Sequence, residues 1–117
     1  MFKVKQILRV DQKPLLNRLE KLEVMEEDKR NESFWTEADS LIDFGKTYKI
    51  SIRDTKTGNV LETIQKLFDD ESVREKVNVM FKIEALADDE RNDGDFWINV
   101  DDFIEFEKVY ELSLEEL

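Results

Sequence analysis

Carboxylates are the side chains of this sequence with the clearest capacity for chemistry. Residues 84–107 contain ten of them and a single basic residue, Arg91. Carboxylates at this density can bind a divalent cation, act as a general acid and base, or attract a basic partner by their charge. The spacing of these residues and the other residue types in the chain decide among the three roles.

A calcium-binding loop is the most specific of these interpretations. With Gly94 at the sixth loop position, Asp89 and Asp93 take positions one and five. The third position is then Arg91 and the twelfth is Val100, where the loop requires an oxygen ligand and a bidentate glutamate. Because two essential ligands are missing, the sequence predicts no metal site.

Residue types that catalysis commonly uses are absent from the chain. Without histidine it lacks the usual general base near neutral pH, imidazole-activated serines and histidine-bound metals. The three glycines, at positions 45, 58 and 94, cannot form a glycine-rich phosphate loop. A carboxylate pair could serve a hydrolase, but such a site needs a cleft, for which 117 residues leave little room. The sequence therefore predicts a protein that is not an enzyme and needs no cofactor.

The charge of the chain is divided unequally along its length. Residues 1–58 contain twelve basic and eleven acidic residues, net +1, whereas residues 59–117 contain six and eighteen, net −12. A local negative field attracts basic proteins and repels nucleic acids and anionic membranes. We therefore predict that an acidic partner-binding face lies in the second half. Its residues are Asp88, Asp89, Glu90, Asp93, Asp95, Asp101, Asp102 and Glu105. The alternative is that these acids form only a solvated surface.

A sequence repeat indicates that the two halves fold alike. Residues 34–52 recur as residues 96–114 with eight identities in nineteen positions. With one residue inserted at Asp95, residues 21–32 match residues 82–93 with five identities in twelve. The pattern is typical of an internal duplication, and the insertion beside a glycine indicates a loop.

The length of the chain limits how these repeats are organised. A chain of 117 residues suits one domain with one core, so repeat 1 (about 1–54) and repeat 2 (about 59–117) are expected to share it. The alternation of apolar and polar residues favours strands over helices. We predict a strand-rich α+β domain, built from two duplicated ββ(α)β-like units that share one core with pseudo-twofold symmetry.

Alternation places the predicted strands of each unit. Residues 2–10 alternate as a strand. Residues 79–85 alternate as well, and residues 96–100 follow a turn-rich segment, which favours a hairpin. Its counterpart is residues 19–25 with 33–37, although the leucines within residues 14–25 also fit one face of a helix. Both alternatives stay open for residues 14–25.

The remaining elements follow from caps and turns. Asp39 and Asp101 are each placed to cap one helical turn through the carboxylate, after which residues 48–52 and 110–114 are predicted strands. Residues 49–54 and 60–68 flank a turn that contains Gly58 and form a predicted hairpin. A short helix is predicted to begin near residues 69–72.

Two Phe-Trp pairs recur in equivalent positions of the repeats. On strands, neighbouring side chains point to opposite faces, so one member of Phe34-Trp35 and one of Phe96-Trp97 should face outward. Most of these aromatic side chains are expected to pack in the core. Trp97 is the candidate for an exposed aromatic anchor, since tryptophan is enriched in interface hot spots.

The location of the protein follows from what the sequence lacks. No apolar run is long enough to span a membrane, and the first residues lack the apolar stretch of a signal peptide. The chain contains no cysteine, which agrees with a reducing compartment. These features predict a cytoplasmic protein that does not associate with membranes.

Two classes of function agree with these features. The first is an inhibitor or nucleic-acid mimic whose carboxylates occupy the basic site of a nucleic-acid-binding enzyme. In size, acidity and lack of catalytic residues the chain is similar to phage anti-defence proteins, such as anti-CRISPRs and restriction inhibitors, and to immunity proteins that neutralise nuclease toxins. The similarity is one of composition, and no motif assigns a family. The second class is a structural, assembly or homodimerising protein of a phage or bacterium, which packs through edge strands and has no decoy role.

Overall fold

A four-stranded antiparallel sheet with helices packed on one face forms this α+β protein. The computed structural model describes residues 2–8, 18–75 and 78–117. In chain order the elements are β1 (Phe2–Leu8), α1 (Arg18–Glu27), a 3₁₀ turn (Lys29–Asn31), α2 (Glu32–Leu41), β2 (Thr47–Asp54), β3 (Val60–Lys66), α3 (Glu71–Arg74), α4 (Val79–Asp88), α5 (Gly94–Phe103) and β4 (Lys108–Glu116). Among the described residues, no helix has the length and apolar character needed to cross a membrane.

The strand order of the sheet is β1-β4-β2-β3, so β2 and β4 form its centre. In the register of this central pair, Ser51 lies opposite Ser113, Tyr48 opposite Glu116 and Asp54 opposite Tyr110. The register of this pair thus places the two serines opposite each other near the middle of the strands. β1 and β3 are the edges, each paired with one central strand.

The predicted strands at residues 48–52 and 110–114, and the described part of the one at residues 2–10, are confirmed. β1 covers the described part of the strand predicted at residues 2–10, and β2 and β4 contain residues 48–52 and 110–114. The hairpin between β2 and β3 is present as well. Its turn is held by the Asp54 carboxylate, which accepts hydrogen bonds from the backbone N–H groups of Lys56 and Thr57. Gly58 adopts φ +80° there, a conformation that glycine reaches without steric cost. The short helix near residue 70 is α3.

The two predicted hairpins at residues 19–37 and 79–100 are wrong, since both segments are pairs of helices. The buried residues of α4 follow helical spacing, because Val79, Lys82, Ile83 and Leu86 point inward. Phe81, which completes the apparent alternation, is 46% exposed. In the first half the helix alternative is correct from Arg18 onward, whereas residues 14–17 lie outside the described part of the chain.

The make-up of each half also differs from the expectation. The first half runs strand, helix, helix, strand, and the second half has the same order with the short helix α3 added before its helix pair. The described chain is therefore richer in helix than in strand, and the units are not ββ(α)β-like. Asp39 and Asp101 do not begin a helical turn, because they lie in the last turns of α2 and α5. The side-chain caps belong to Asn78 at α4 and to Asp93 at α5.

The core lies between the helices and the inner face of the sheet, and it buries both aromatic pairs. The rings of Phe34 and Trp35 meet edge to face at 5.0 Å, and those of Phe96 and Trp97 do so at 4.9 Å. All four side chains are at most 6% exposed. The expectation that one of each pair faces outward is therefore wrong, because adjacent residues on a helix can both enter one core.

Each central strand is fastened to the preceding helix by a tyrosine. The Tyr48 hydroxyl donates to the Leu41 carbonyl at 2.8 Å and accepts from the Asp43 N–H at 2.6 Å. The Tyr110 hydroxyl makes the matching bonds to the Phe103 carbonyl and the Glu105 N–H, at 2.9 and 2.7 Å. Both hydroxyls thereby satisfy backbone groups at a helix end, which a buried tyrosine needs.

The turns that lead into the two central strands differ in one residue type. Gly45 before β2 has φ +78°, and Glu107 before β4 has φ +64°, a conformation that costs a non-glycine residue about 1–2 kcal/mol. Replacing Glu107 with glycine removes this strain at the cost of greater freedom in the unfolded chain. We expect Glu107→Gly to raise the free energy of unfolding by about 0.5–1 kcal/mol, measured by urea denaturation. Glu107→Ala removes the charge but keeps the strained Cβ, so an equal gain in that variant would contradict the explanation.

Candidate interaction surface

The four long helices, α1, α2, α4 and α5, contain most of the acidity of the protein together with the segments that connect each pair. Residues 18–44 and 78–107 hold nineteen acidic and six basic residues, net −13, whereas the rest of the described chain holds nine of each, net 0. We call the acidic residues of these two segments the acidic helical layer. Both halves contribute, since residues 18–44 alone hold nine acids and four bases. Among the described residues the negative charge is therefore concentrated in the helical segments. Dividing the charge by sequence half understates the acidity of the helices in the first half.

Five of the predicted site residues lie between the last residue of α4 and the N-terminal end of α5, on or beside the linker that joins these helices. They are Asp88, Asp89, Glu90, Asp93 and Asp95, and all but Asp89 are exposed. The carboxylate of Asp93 accepts a hydrogen bond from the Asp95 N–H and caps α5. Acids at this helix end are favoured by the helix dipole.

The other three predicted residues lie at the opposite end of α5, Asp101 and Asp102 in its last turn and Glu105 just after its C-cap residue. Asp102 follows Asp95 by seven positions of helix, which corresponds to about 10 Å along the axis. Asp102 is exposed, and Glu105 forms an ion pair with Lys108 at 2.6 Å. The predicted residues therefore form two groups at opposite ends of one helix.

Arg91, the only base in residues 84–107, is held inside the linker. Its guanidinium pairs with Asp89 at 2.7 Å and with Asp70 at 2.8 Å, and it stacks on the Phe68 ring at 3.7 Å. Hydrogen bonds from the Arg91 side chain hold the pKa of the Asp89 carboxyl below its usual range. The Asp89 carboxylate therefore stays ionised, and its charge is balanced by Arg91. The outward negative charge of the linker comes from the neighbouring acids.

Asn92 fixes this linker to the end of β3. Its side chain donates to the carbonyls of Lys66 and Leu86, and it accepts from the Lys66 N–H at 2.9 Å. These bonds tie the linker both to the sheet edge and to α4. The exposed carboxylates around it are therefore displayed on a backbone with a defined position.

Two of the six bases in the helical segments are directed inward. Lys21 donates its amino group to the carbonyls of Asp101 and Ile104 at 2.7 and 3.0 Å. Lys82 donates to the Asp39 carbonyl at 2.9 Å. Both side chains are buried and bind the C-terminal end of a helix from the other half of the chain. Their charges therefore do little to neutralise the outer surface.

The first half contributes acids that the sequence prediction did not include. Glu26, Glu32 and Asp39 line a cleft of about 260 Å³ between α1, α2 and the start of α4. Burial raises the pKa of the Glu26 carboxyl, and the charges of Glu27, Glu23 and Asp39 raise it further. Carboxylates from two helices thus repel one another here, which indicates an accumulated negative field.

Acidic residues also occupy the C-terminal ends of the four long helices. Each of α1, α2, α4 and α5 has at least one acid in its last turn, and none has a base there. Acids at this end oppose the helix dipole by about 0.3–1 kcal/mol each at exposed sites. A correct assignment of these four helices from the sequence would have shown that each has an acid in its last turn. The acids would then have been placed together in the helical layer.

Other kinds of site receive no support from the described residues. Within them, no group of three or more carboxylates is placed to hold a metal ion. Trp97 is 3% exposed and donates its indole N–H to Gln65 inside the core, so it is not available to a partner in this conformation.

Comparisons of the chain with family models, with curated proteins and with solved structures found no match.

Proposed function

We propose that this protein is a non-enzymatic inhibitor that presents its acidic helical layer to the basic nucleic-acid-binding site of a cytoplasmic enzyme. Carboxylates take the place of phosphates in such a complex. The proposal agrees with the compositional similarity to anti-defence and nuclease-immunity proteins. The observation that carries it is the separation of charge, net −13 in the helical segments against net 0 in the rest of the described chain.

The physical basis of the proposal is electrostatic. Charges concentrated on one side of a molecule orient it during approach and raise the association rate with a basic cleft. Residues three or four apart on a helix surface lie about 5–6 Å from each other, so the layer presents closely spaced negative charges. Acids at the C-terminal ends of helices lower stability, which is explained if they serve binding rather than folding.

We also infer that the two halves are copies of one strand–helix–helix–strand unit related by a pseudo-twofold axis between Ser51 and Ser113. Equivalent contacts support this inference. The two tyrosines make matching bonds, Asn31 and Asn92 bind the carbonyls of Met25 and Leu86, and Lys46–Glu116 corresponds to Lys108–Asp54. Duplication would then have doubled one acidic helix pair into a wider layer.

The test uses the tagged full-length protein to capture proteins from a lysate of its native host at low salt. Bound proteins are then eluted with duplex DNA and identified. We expect a nucleic-acid-binding enzyme to be released by DNA and to be inhibited by the purified protein. The association should weaken steeply between about 50 and 500 mM NaCl, because ions screen exposed charges.

A pair of charge-matched variants shows whether the helical layer is responsible. The first neutralises Asp88, Glu90, Asp95 and Asp102 to the corresponding amides. The control neutralises Glu62, Glu71, Glu75 and Glu116, which lie outside the layer, and changes the net charge equally. We expect the first to weaken binding at least about tenfold and the control to have little effect. Equal weakening by both variants, or none by the first, would refute the proposal.

A further inference from the structure

The outer edge of β3 carries backbone groups that no other strand uses. The Leu67 N–H, directly after β3, donates to the Lys46 carbonyl, so the odd-numbered residues of this edge strand turn their backbone toward β2. The even-numbered residues therefore direct their N–H and carbonyl groups off the sheet. For Val60, Glu62 and Ile64, these groups have no hydrogen-bond partner in the described part of the chain. We call this stretch of backbone the open edge.

Asn92 occupies the next position of the same edge and shows what a partner must supply there. Lys66 is the following outward-facing residue, and the Asn92 side chain donates to its carbonyl at 3.0 Å and accepts from its N–H at 2.9 Å. This amide reproduces the pair of bonds that a neighbouring antiparallel strand makes. The open edge, about 13 Å long from Val60 to Ile64, has no such substitute among the described residues.

The open edge also lacks the features that commonly protect an exposed strand. Such strands carry lysine, proline or a bulge, or they lie beneath a helix or loop. Between Val60 and Ile64 there is no lysine or proline, and the one-to-one register with β2 leaves no bulge. The Val60 side chain is 43% exposed and that of Ile64 is 61% exposed. This backbone can therefore pair with an added strand, the recognition mode known as β-augmentation.

A groove of about 480 Å³ gives such a strand room beside β3. Thr63 and Ile64 line it from β3, and Asp93, the N-cap residue of α5, lines it from the helix side. The Gln65 side chain donates to the Asp93 carbonyl at 3.1 Å, so the start of α5 is fixed to the strand. The groove therefore has a wall of defined position next to the unpaired backbone.

The acids around the open edge define the chemistry of its occupant. Glu62 lies at the middle of the edge, and Asp93 and Asp95 are exposed at the start of α5. Lys49 lies one strand further in, 3.9 Å from Glu62, and offsets one of these three charges. An added strand with one basic residue opposite Glu62 and another opposite Thr63, on the helix side, is complementary to the remaining charge.

A second copy of β3 fits the open edge poorly. Asn92 closes the edge at Lys66, so antiparallel pairing of two open edges must be centred on Glu62. The two Glu62 carboxylates then lie directly opposite each other, which destabilises the pairing. A strand of another protein that is apolar opposite Val60 and Ile64 and basic between them avoids this repulsion.

We propose that the open edge of β3 binds an extended segment of a partner protein, antiparallel to β3. Its residues are apolar where they face Val60 and Ile64, and basic where they face Glu62 and Asp93. The segment becomes a fifth strand, and its backbone satisfies the N–H and carbonyl groups of the open edge. Although Asp93 also belongs to the acidic helical layer, this binding does not require that layer to inhibit an enzyme.

NMR spectroscopy of the ¹⁵N-labelled full-length protein with the peptide acetyl-Val-Lys-Lys-Thr-Val-amide tests the proposal. We expect saturable shifts of the Val60, Glu62 and Ile64 amides, with a dissociation constant on the order of 1 mM for so short a segment. The peptide with glutamate in place of both lysines should bind at least about tenfold more weakly. The proposal is overturned by the absence of saturation at about 10 mM lysine peptide, or by shifts centred outside β3.

Two N-methylated forms of the lysine peptide show whether backbone pairing is responsible. The third peptide residue faces Glu62 and directs its N–H toward β3, whereas the fourth directs its N–H away. N-methylation of the third residue should weaken binding at least about tenfold, and N-methylation of the fourth should have a much smaller effect. Equal effects of the two modifications would contradict strand addition, and this comparison requires no protein variant to fold.

Ile64→Pro makes the corresponding change in the protein. Proline removes an outward N–H but is tolerated on an edge strand, and Ile64→Val is the matched control that keeps the N–H. We expect Ile64→Pro to bind the lysine peptide at least about tenfold more weakly than Ile64→Val. Equal affinities of the two folded variants would overturn the proposal. Shifts of the same amides when the protein alone is concentrated would identify a second copy as the occupant and would overturn it as well.

Discussion

Trp97→Ala is expected to lower the free energy of unfolding by about 3–5 kcal/mol, a large share of the total for a domain of this size. The side chain is 3% exposed and packs edge to face on Phe96. Its indole N–H donates to the Gln65 side chain at 2.8 Å, and Gln65 itself is 1% exposed. Truncation therefore leaves a cavity and a buried amide oxygen without this donor.

Denaturation in urea, followed by circular dichroism, measures this effect. Ile98 is the matched control, because it is the next residue of α5 and is 61% exposed. Ile98→Ala should change the free energy of unfolding by less than about 0.5 kcal/mol. The loss of unfolding free energy in Trp97→Phe should lie between those of Trp97→Ala and Ile98→Ala, since phenylalanine retains apolar volume but cannot donate the hydrogen bond. Similar values for Trp97→Ala and Ile98→Ala would show that the tryptophan is not in the core.

Lys21→Met is expected to lower the free energy of unfolding by about 2–4 kcal/mol, because it removes two charge-assisted hydrogen bonds. Lys21 lies on α1 and binds the carbonyls of Asp101 and Ile104 at the end of α5, so it joins the two halves. Methionine keeps most of the buried aliphatic stem. The loss would then come from carbonyl groups of the helix end that no longer have this donor.

Substitutions of two further lysines serve as controls for Lys21→Met. Lys29→Met changes the net charge equally at an exposed position and should have little effect. Lys82→Met should cost less than Lys21→Met, because Lys82 makes one such bond, to Asp39, together with an ion pair at 3.6 Å. The measurement is again urea denaturation. If Lys21→Met is as stable as Lys29→Met, the lysine does not hold the helix end.

The prediction of a strand where α4 lies was wrong for an identifiable physical reason. Two residues reversed the apparent pattern of burial, since Phe81 is largely exposed and Lys82 is 9% exposed. Lys82 can be buried because its amino group reaches a carbonyl from the other half. No local pattern contains that information. Apolar alternation was therefore read as a strand where the true spacing of buried residues is helical.

The acidic surface was also predicted only in part, because the pattern along the chain does not show which segments pack side by side. Counting along the chain located the acids of residues 88–105, but it assigned the first half a net charge of +1. The helices of that half are acidic, and the balance comes from bases outside the helical segments. Net charge counted along the sequence averages over the helices and the sheet, whereas a partner contacts one of these surfaces at a time.

The sequence by itself determined the α+β class, the central strands, the β2–β3 hairpin and the strongly negative net charge, because these depend on local alternation, turn residues and composition. Only the tertiary structure decided that the Phe-Trp pairs lie on helices, that Lys21 and Lys82 are buried, and that the acids form one layer. Each of these depends on contacts between segments about 30–80 residues apart in the chain. Burial and charge separation belong to the assembled surfaces, so they emerge only when the helices are packed on the sheet.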